Sequence, residues 1–106
     1  DALPAVWDDS KVIEGKIGEF VTIARRKGDN WYVGSLTNEA RNLTLSLDFL
    51  VKSRQYEATI YSDDASLTTP TKVAIRKMKV NASSVLKMQL MRMNGLAIII
   101  RPVKKR

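Results

Sequence analysis

Apolar and polar residues alternate with a period of two along most of the chain. In residues 42–50, NLTLSLDFL, Leu43, Leu45 and Leu47 share one face while Thr44, Ser46 and Asp48 share the other. In residues 55–62, QYEATIYS, Tyr56, Ala58 and Ile60 oppose Glu57, Thr59 and Tyr61. Successive side chains of a strand point to opposite faces, so this pattern predicts half-buried antiparallel strands with one wet face. Similar β-branched and aromatic runs lie at 19–27, 30–38, 72–80, 84–92 and 96–103, with a short strand expected at 11–14. One or two of these are apolar enough to be more deeply buried. Turn signals rich in Gly, Asn, Asp and Ser fall at 15–18, 28–30, 38–42, 52–54, 63–71, 81–84 and 94–95. About eight short strands at this spacing predict an all-β fold, an antiparallel β-sandwich, and the same pattern fits a small barrel. In residues 82–93, Leu86, Leu90 and Met93 could form a helical stripe, but the neighbouring strands and the Asn94-Gly95 turn favour a strand.

The stretch 22–38, TIARRKGDNWYVGSLTN, runs three cations into a Gly-Asp-Asn corner followed by two aromatics. It reads either as a nucleic-acid grip or as a basic hairpin. Gly28 and Asn30 tolerate the positive φ of a tight turn, and the Asp29 carboxylate is placed to cap it. Three cations on an edge or wet face also discourage edge-to-edge association. An RNA-recognition strand needs aromatics on one face. Here Lys27-Gly28 is followed by Asp29-Asn30, and the adjacent Trp31 and Tyr32 point to opposite faces. One belongs in the core and the other on the surface or at an interface, so the hairpin is the better reading.

The 106 residues carry a formal charge of +7. Residues 1–53 hold 7 basic and 8 acidic side chains, net −1, and residues 54–106 hold 11 and 3, net +8. A basic half can attract an anionic partner, but alternation places many of these cations on solvated strand faces. The length fits a single domain, 1–106, with one core. The chain has no cysteine and no histidine. Disulfides, thiolate chemistry, Ser-His-Asp triads and His-ligated zinc are therefore excluded within it. Its longest apolar run, residues 96–100, is far below the roughly 20 residues of a membrane helix. DALPAVWDDS opens acidic, with neither an initiator Met nor a signal-peptide pattern, and suggests a piece of a longer polypeptide.

Residues 6–38, VWDDSKVIEGKIGEFVTIARRKGDNWYVGSLTN, closely resemble the start of the C-terminal domain of glycoside hydrolase family 97. The matching pieces are Trp7-Asp8, Lys11-Val12-Ile13, the block 15–18 and above all ARRKGDNWYVG; LTLSLDFL, YEATIYSDD and LAIIIR follow in order and spacing. The resemblance implies a bacterial α-glucosidase or α-galactosidase, typical of Bacteroidetes, built from an N-terminal β-supersandwich, a (β/α)8 barrel and a small C-terminal sandwich. It implies that the barrel holds the catalytic carboxylates and a calcium ion, so this domain has no catalytic residue and no cofactor of its own. It further implies a periplasmic or cell-envelope setting, packing on the barrel, and a supporting role in a homo-oligomer. No nucleic-acid partner and no membrane insertion are expected. Val6 and Trp7, near the chain start, are placed to pack back on a preceding domain.

Other residues invite a site assignment. Asp8-Asp9 and Asp63-Asp64 are paired carboxylates. Neighbours in one loop do not by themselves frame a sugar as a glycosidase pair must. Calcium wants six to eight oxygens, and the next acidic residue is distant. Both pairs read as solvated turn residues. Trp7, Trp31, Tyr32, Tyr56 and Tyr61 could form a sugar-stacking platform, which keeps an independent carbohydrate-binding module as the rival function; core and interdomain packing is the simpler use. A basic nucleic-acid-binding domain is the weaker rival. The triplets at Asn42 and Asn81 match glycosylation acceptors and carry no argument.

Overall fold

The computed structural model describes residues 6–63, 73–91 and 95–103. All its regular elements are strands: β1 (Asp9–Lys16), β2 (Phe20–Lys27), β3 (Asn30–Thr37), β4 (Arg41–Ser46), β5 (Tyr56–Asp63), β6 (Val73–Val80), β7 (Val85–Leu90) and β8 (Gly95–Pro102). Six form one antiparallel sheet in the order β1-β2-β3-β8-β5-β6, and β4 pairs with β7 in a second. The fold is the expected sandwich. The chain crosses to the small sheet twice and ends with β8 inserted between β3 and β5, at the middle of the large sheet.

The core is the interface of these layers. β4 contributes Leu43 and Leu45, and β7 contributes Leu86 and Leu90. They cover Ala24 of β2, Trp31 and Val33 of β3, Ile98 and Ile100 of β8, and Tyr56, Ala58 and Ile60 of β5. Val85–Leu90 thus follows the strand expectation: Leu86 and Leu90 are buried while Val85, Lys87 and Gln89 are exposed. Met93 lies outside the described residues.

Two strands differ most from the sequence expectation. β1 is longer than residues 11–14, because the Asp8 amide bonds the Arg26 carbonyl and starts the ladder early. A bulge between Val12 and Glu14 then absorbs the register change. β4 stops at Ser46, short of residue 50. The Leu50 amide bonds the Leu47 carbonyl, closing a turn that keeps Leu47 and Leu50 in the core and lays Phe49 against Trp31 at 4.7 Å between ring centroids.

Among the described residues, buried side-chain polar atoms are paired. The Thr22 and Ser35 hydroxyls, facing each other across β2 and β3, share a 2.8 Å hydrogen bond. Buried Tyr56 accepts the Val51 amide at its hydroxyl. Arg41 of the small sheet reaches Glu14 of β1 and lies 3.7 Å from the Phe20 ring, joining the layers at one edge.

Candidate docking surface

The opposite face of the large sheet departs from expectation. A wet outward face appears on the small sheet, where Thr44, Ser46, Lys87 and Gln89 are exposed. The large sheet instead carries apolar side chains outward. Strand registers align Val12, Ile23, Gly34, Ala97, Tyr61 and Ile75 in one row across all six strands. A second row reads Ser10, Arg25, Tyr32, Ile99, Thr59 and Lys77. A third holds Gly15, Val21, Leu36 and Gly95. The central parts of these rows, around Ile23, Gly34, Ala97, Tyr61, Tyr32 and Leu36, line an open trough of about 590 Å³. Val12, Leu36 and Ile75 are each at least 60% exposed, and Ile17 at the β1–β2 turn is wholly exposed. Contiguous exposed apolar surface of this kind marks a contact surface.

Trp7 sits at one lip of this trough. Its ring meets Tyr32 edge-on, with centroids 5.1 Å apart, and the Arg25 guanidinium lies 5.7 Å from it. Val6 is 69% exposed. Of the expected interface pair, Trp7 therefore lines the apolar face without supplying most of it. Residues on β2, β3, β5 and β8 do that: Val21, Ile23, Leu36, Tyr61, Ala97 and Ile99. The sequence did carry a signal for them. Alternation fails at residues 96–100, and at 20–24 apart from Thr22, where side chains of both parities are apolar. A strand apolar on both faces needs cover on both.

The stretch 22–38 resolves as a hairpin, with two corrections. Its turn is capped from outside: the Gly28 amide donates to Asp8 Oδ2 at 2.7 Å, while Asp29 pairs with Arg54. Gly28 takes φ 58, which favours glycine there, whereas Asn30 does not take a positive φ. Its cations also protect no edge, since β2 and β3 are interior strands. Asp8 receives Lys27 at 3.6 Å and Arg26 at 3.8 Å. The true edges are β1, with its bulge, and β6, which exposes Arg76, Lys77 and Lys79. Both devices disfavour edge pairing.

Asp8 is consequently held below the ordinary carboxylate range, first by the Gly28 amide and then by Lys27 and Arg26. A depressed folded-state pKa contributes stability above the unfolded pKa and loses it as pH falls through the folded value. Asp8→Asn is therefore expected to destabilise the domain at neutral pH. The difference from wild type should close as pH drops below about 4. Urea melts at several pH values check this; a pH-independent gap would mean that the carboxylate charge is not what caps the turn.

Of the aromatic set, Trp31 and Tyr56 are core, while Trp7, Tyr32 and Tyr61 face the trough. Around these three the lining is almost wholly apolar, with Arg25 as the outward polar side chain besides the tyrosine hydroxyls, since Ser62 pairs with Leu96 and shares its inward parity. A sugar site requires several polar groups converging on the hydroxyls. Asp64, and the side chain of Asp63, lie outside the described residues. Among the described residues, no group of three or more His, Cys, Asp or Glu could hold a metal ion.

Residues 6–101 match the family model described as the glycosyl-hydrolase 97 C-terminal, oligomerisation domain. The chain belongs to that family. A retaining alpha-galactosidase from Bacteroides thetaiotaomicron is 47% identical over 62 residues, 58% of this chain and 9% of that protein. A glycoside hydrolase family 97 enzyme from Pseudoalteromonas sp. strain K8, solved in complex with acarbose, superposes with a TM-score of 0.86 at 34% identity. The match covers 96% of this chain and 17% of that one. A beta-arabinopyranosidase shares the fold, at TM-score 0.73 and 24% identity over 91% of this chain and 14% of that one. The chain thus corresponds to a small part of these relatives, the C-terminal part by the family's description and not the catalytic one.

Proposed function

We propose that this chain is the accessory C-terminal sandwich of a family-97 α-glycosidase, an α-glucosidase or α-galactosidase working in the periplasm or at the cell envelope. It docks the outer face of its six-stranded sheet on the catalytic part of the same polypeptide. The apolar row from Val12 to Ile75 carries this reading. Covering such surface stabilises an assembly by about 25 cal/mol per Å² of apolar area. Catalytic carboxylates and the calcium implied by the family resemblance belong to the barrel. The subunit contacts implied by the family's description then use other surfaces or the assembled enzyme, because the edges of the large sheet are guarded by a bulge and by cations.

The test compares the 106-residue chain with the full-length enzyme, each carrying Ile23→Asp with Ile99→Asp. Both side chains point away from the core, so the isolated chain should lose no more than about 1 kcal/mol per site. The full-length variant should lose thermal stability and release the C-terminal domain to limited proteolysis. A full-length variant as stable and protease-resistant as wild type would overturn the reading.

A further inference from the structure

Gly34 sits in the middle of β3, in an interior strand of the large sheet. Glycine weakens a strand interior, and where it occurs there it often marks a place that another backbone approaches closely. Nothing inside the domain asks for it. Its φ is not in the left-handed region, and a Cβ built on it would meet no atom within 4 Å. Gly95 differs, since a Cβ there would press on Leu36 at 3.0 Å. Gly34 pairs with Ala97 on β8, so two small outward residues lie side by side at the sheet's centre. Val21 and Ile23 on β2 form one bank of this depression, and Tyr61 on β5 forms the other. From β2 to β5 is three strand spacings, about 14 Å. An α-helix with its side chains is about 10–12 Å across.

We propose that the depression over Gly34 and Ala97 seats an α-helix of the polypeptide that precedes this domain in the family-97 enzyme, close enough to exclude a larger side chain at position 34. The inference rests on the docking reading above and names its contact point. Three observations favour that occupant. The matched region is 17% of the Pseudoalteromonas enzyme, and the family describes it as C-terminal, so most of such a chain comes before it. The chain enters the domain past Trp7, at the lip of the same trough. Among the described side chains, the outward rows carry Arg25, Lys77, Lys79 and Arg101 against one acid, Glu57. Two copies face to face would oppose cations to cations, whereas a helix flanked by acidic residues would complement them.

Gly34→Ala and Gly34→Leu, each placed in the full-length enzyme and in the 106-residue chain, test this. In the short chain both should leave the melting temperature unchanged or raise it, because a Cβ at position 34 meets no atom within 4 Å and a side chain there favours the strand. In the full-length enzyme it should fall, by at least about 2–4 °C for Leu and by less for Ala. Opposite signs in the two settings are the expected result. If Gly34→Leu is as harmless in the full-length enzyme as in the short chain, the helix seat is wrong, and the Ile23/Ile99 pair then reports separately on whether the face docks at all. If Gly34→Leu instead abolishes concentration-dependent dimerisation of the short chain and spares the full-length enzyme, the occupant is a second copy and the proposal fails.

Discussion

Trp31→Ala should cost the isolated domain about 3–5 kcal/mol, while Tyr32→Ala, one residue on, should cost about 1 kcal/mol or less. The contrast follows from strand geometry. Trp31 is 5% exposed, packs on Phe49 and pairs with Ile100 in the ladder, so its removal leaves a cavity between the sheets. Tyr32 is half-buried on the outward face, where it touches the Trp7 ring edge-on. Truncating it opens no interior void. Urea titration of both variants, read by far-ultraviolet circular dichroism because the tryptophan is itself altered, gives the two midpoints. Equal losses would mean that the outward face is already part of a packed core, and the trough would have to be filled within the domain.

The same pair shows how much of this molecule was legible in its sequence. Adjacent aromatics on a strand cannot share a face, so one core and one surface residue followed from spacing alone. Leu43, Leu45 and Leu47 against Thr44, Ser46 and Asp48 likewise announced which side of that segment is buried. Strand order was less accessible, because alternation says nothing about which strands are neighbours. β8, last in sequence, is central in space, and β4 and β7 leave the main sheet to pair with each other. That arrangement explains the corrections at 22–38. Asp8 can cap the β2–β3 turn only because β1 lies beside β2, and Arg54 meets Asp29 across 25 residues of sequence. The docking face was half visible. Its apolar parity could be read in residues 96–100, but the central depression exists only once Gly34 is seen beside Ala97.

Leu45→Ala is expected to lower stability by about 2–5 kcal/mol. For a domain of this size that is a fall in melting temperature of roughly 10–30 °C. Leu45 is fully buried and pairs with Leu86 across β4 and β7. These two strands bond to each other and not to the large sheet, and a lone two-stranded ladder is marginal in water. Burial of their leucines holds them in place, with Arg41 reaching Glu14 at one edge. Thr44→Ala, on the solvated side of the same strand, should shift stability by no more than about 0.5 kcal/mol. A Leu45→Ala loss below about 1 kcal/mol would show that the small sheet is not what closes the core. The sandwich division also separates core damage from docking damage. A change under the small sheet weakens the short chain and the full-length enzyme alike, since both need the core. On the docking proposed above, a change on the far side of the large sheet weakens the full-length enzyme more than the short chain, because only there would that face have a partner.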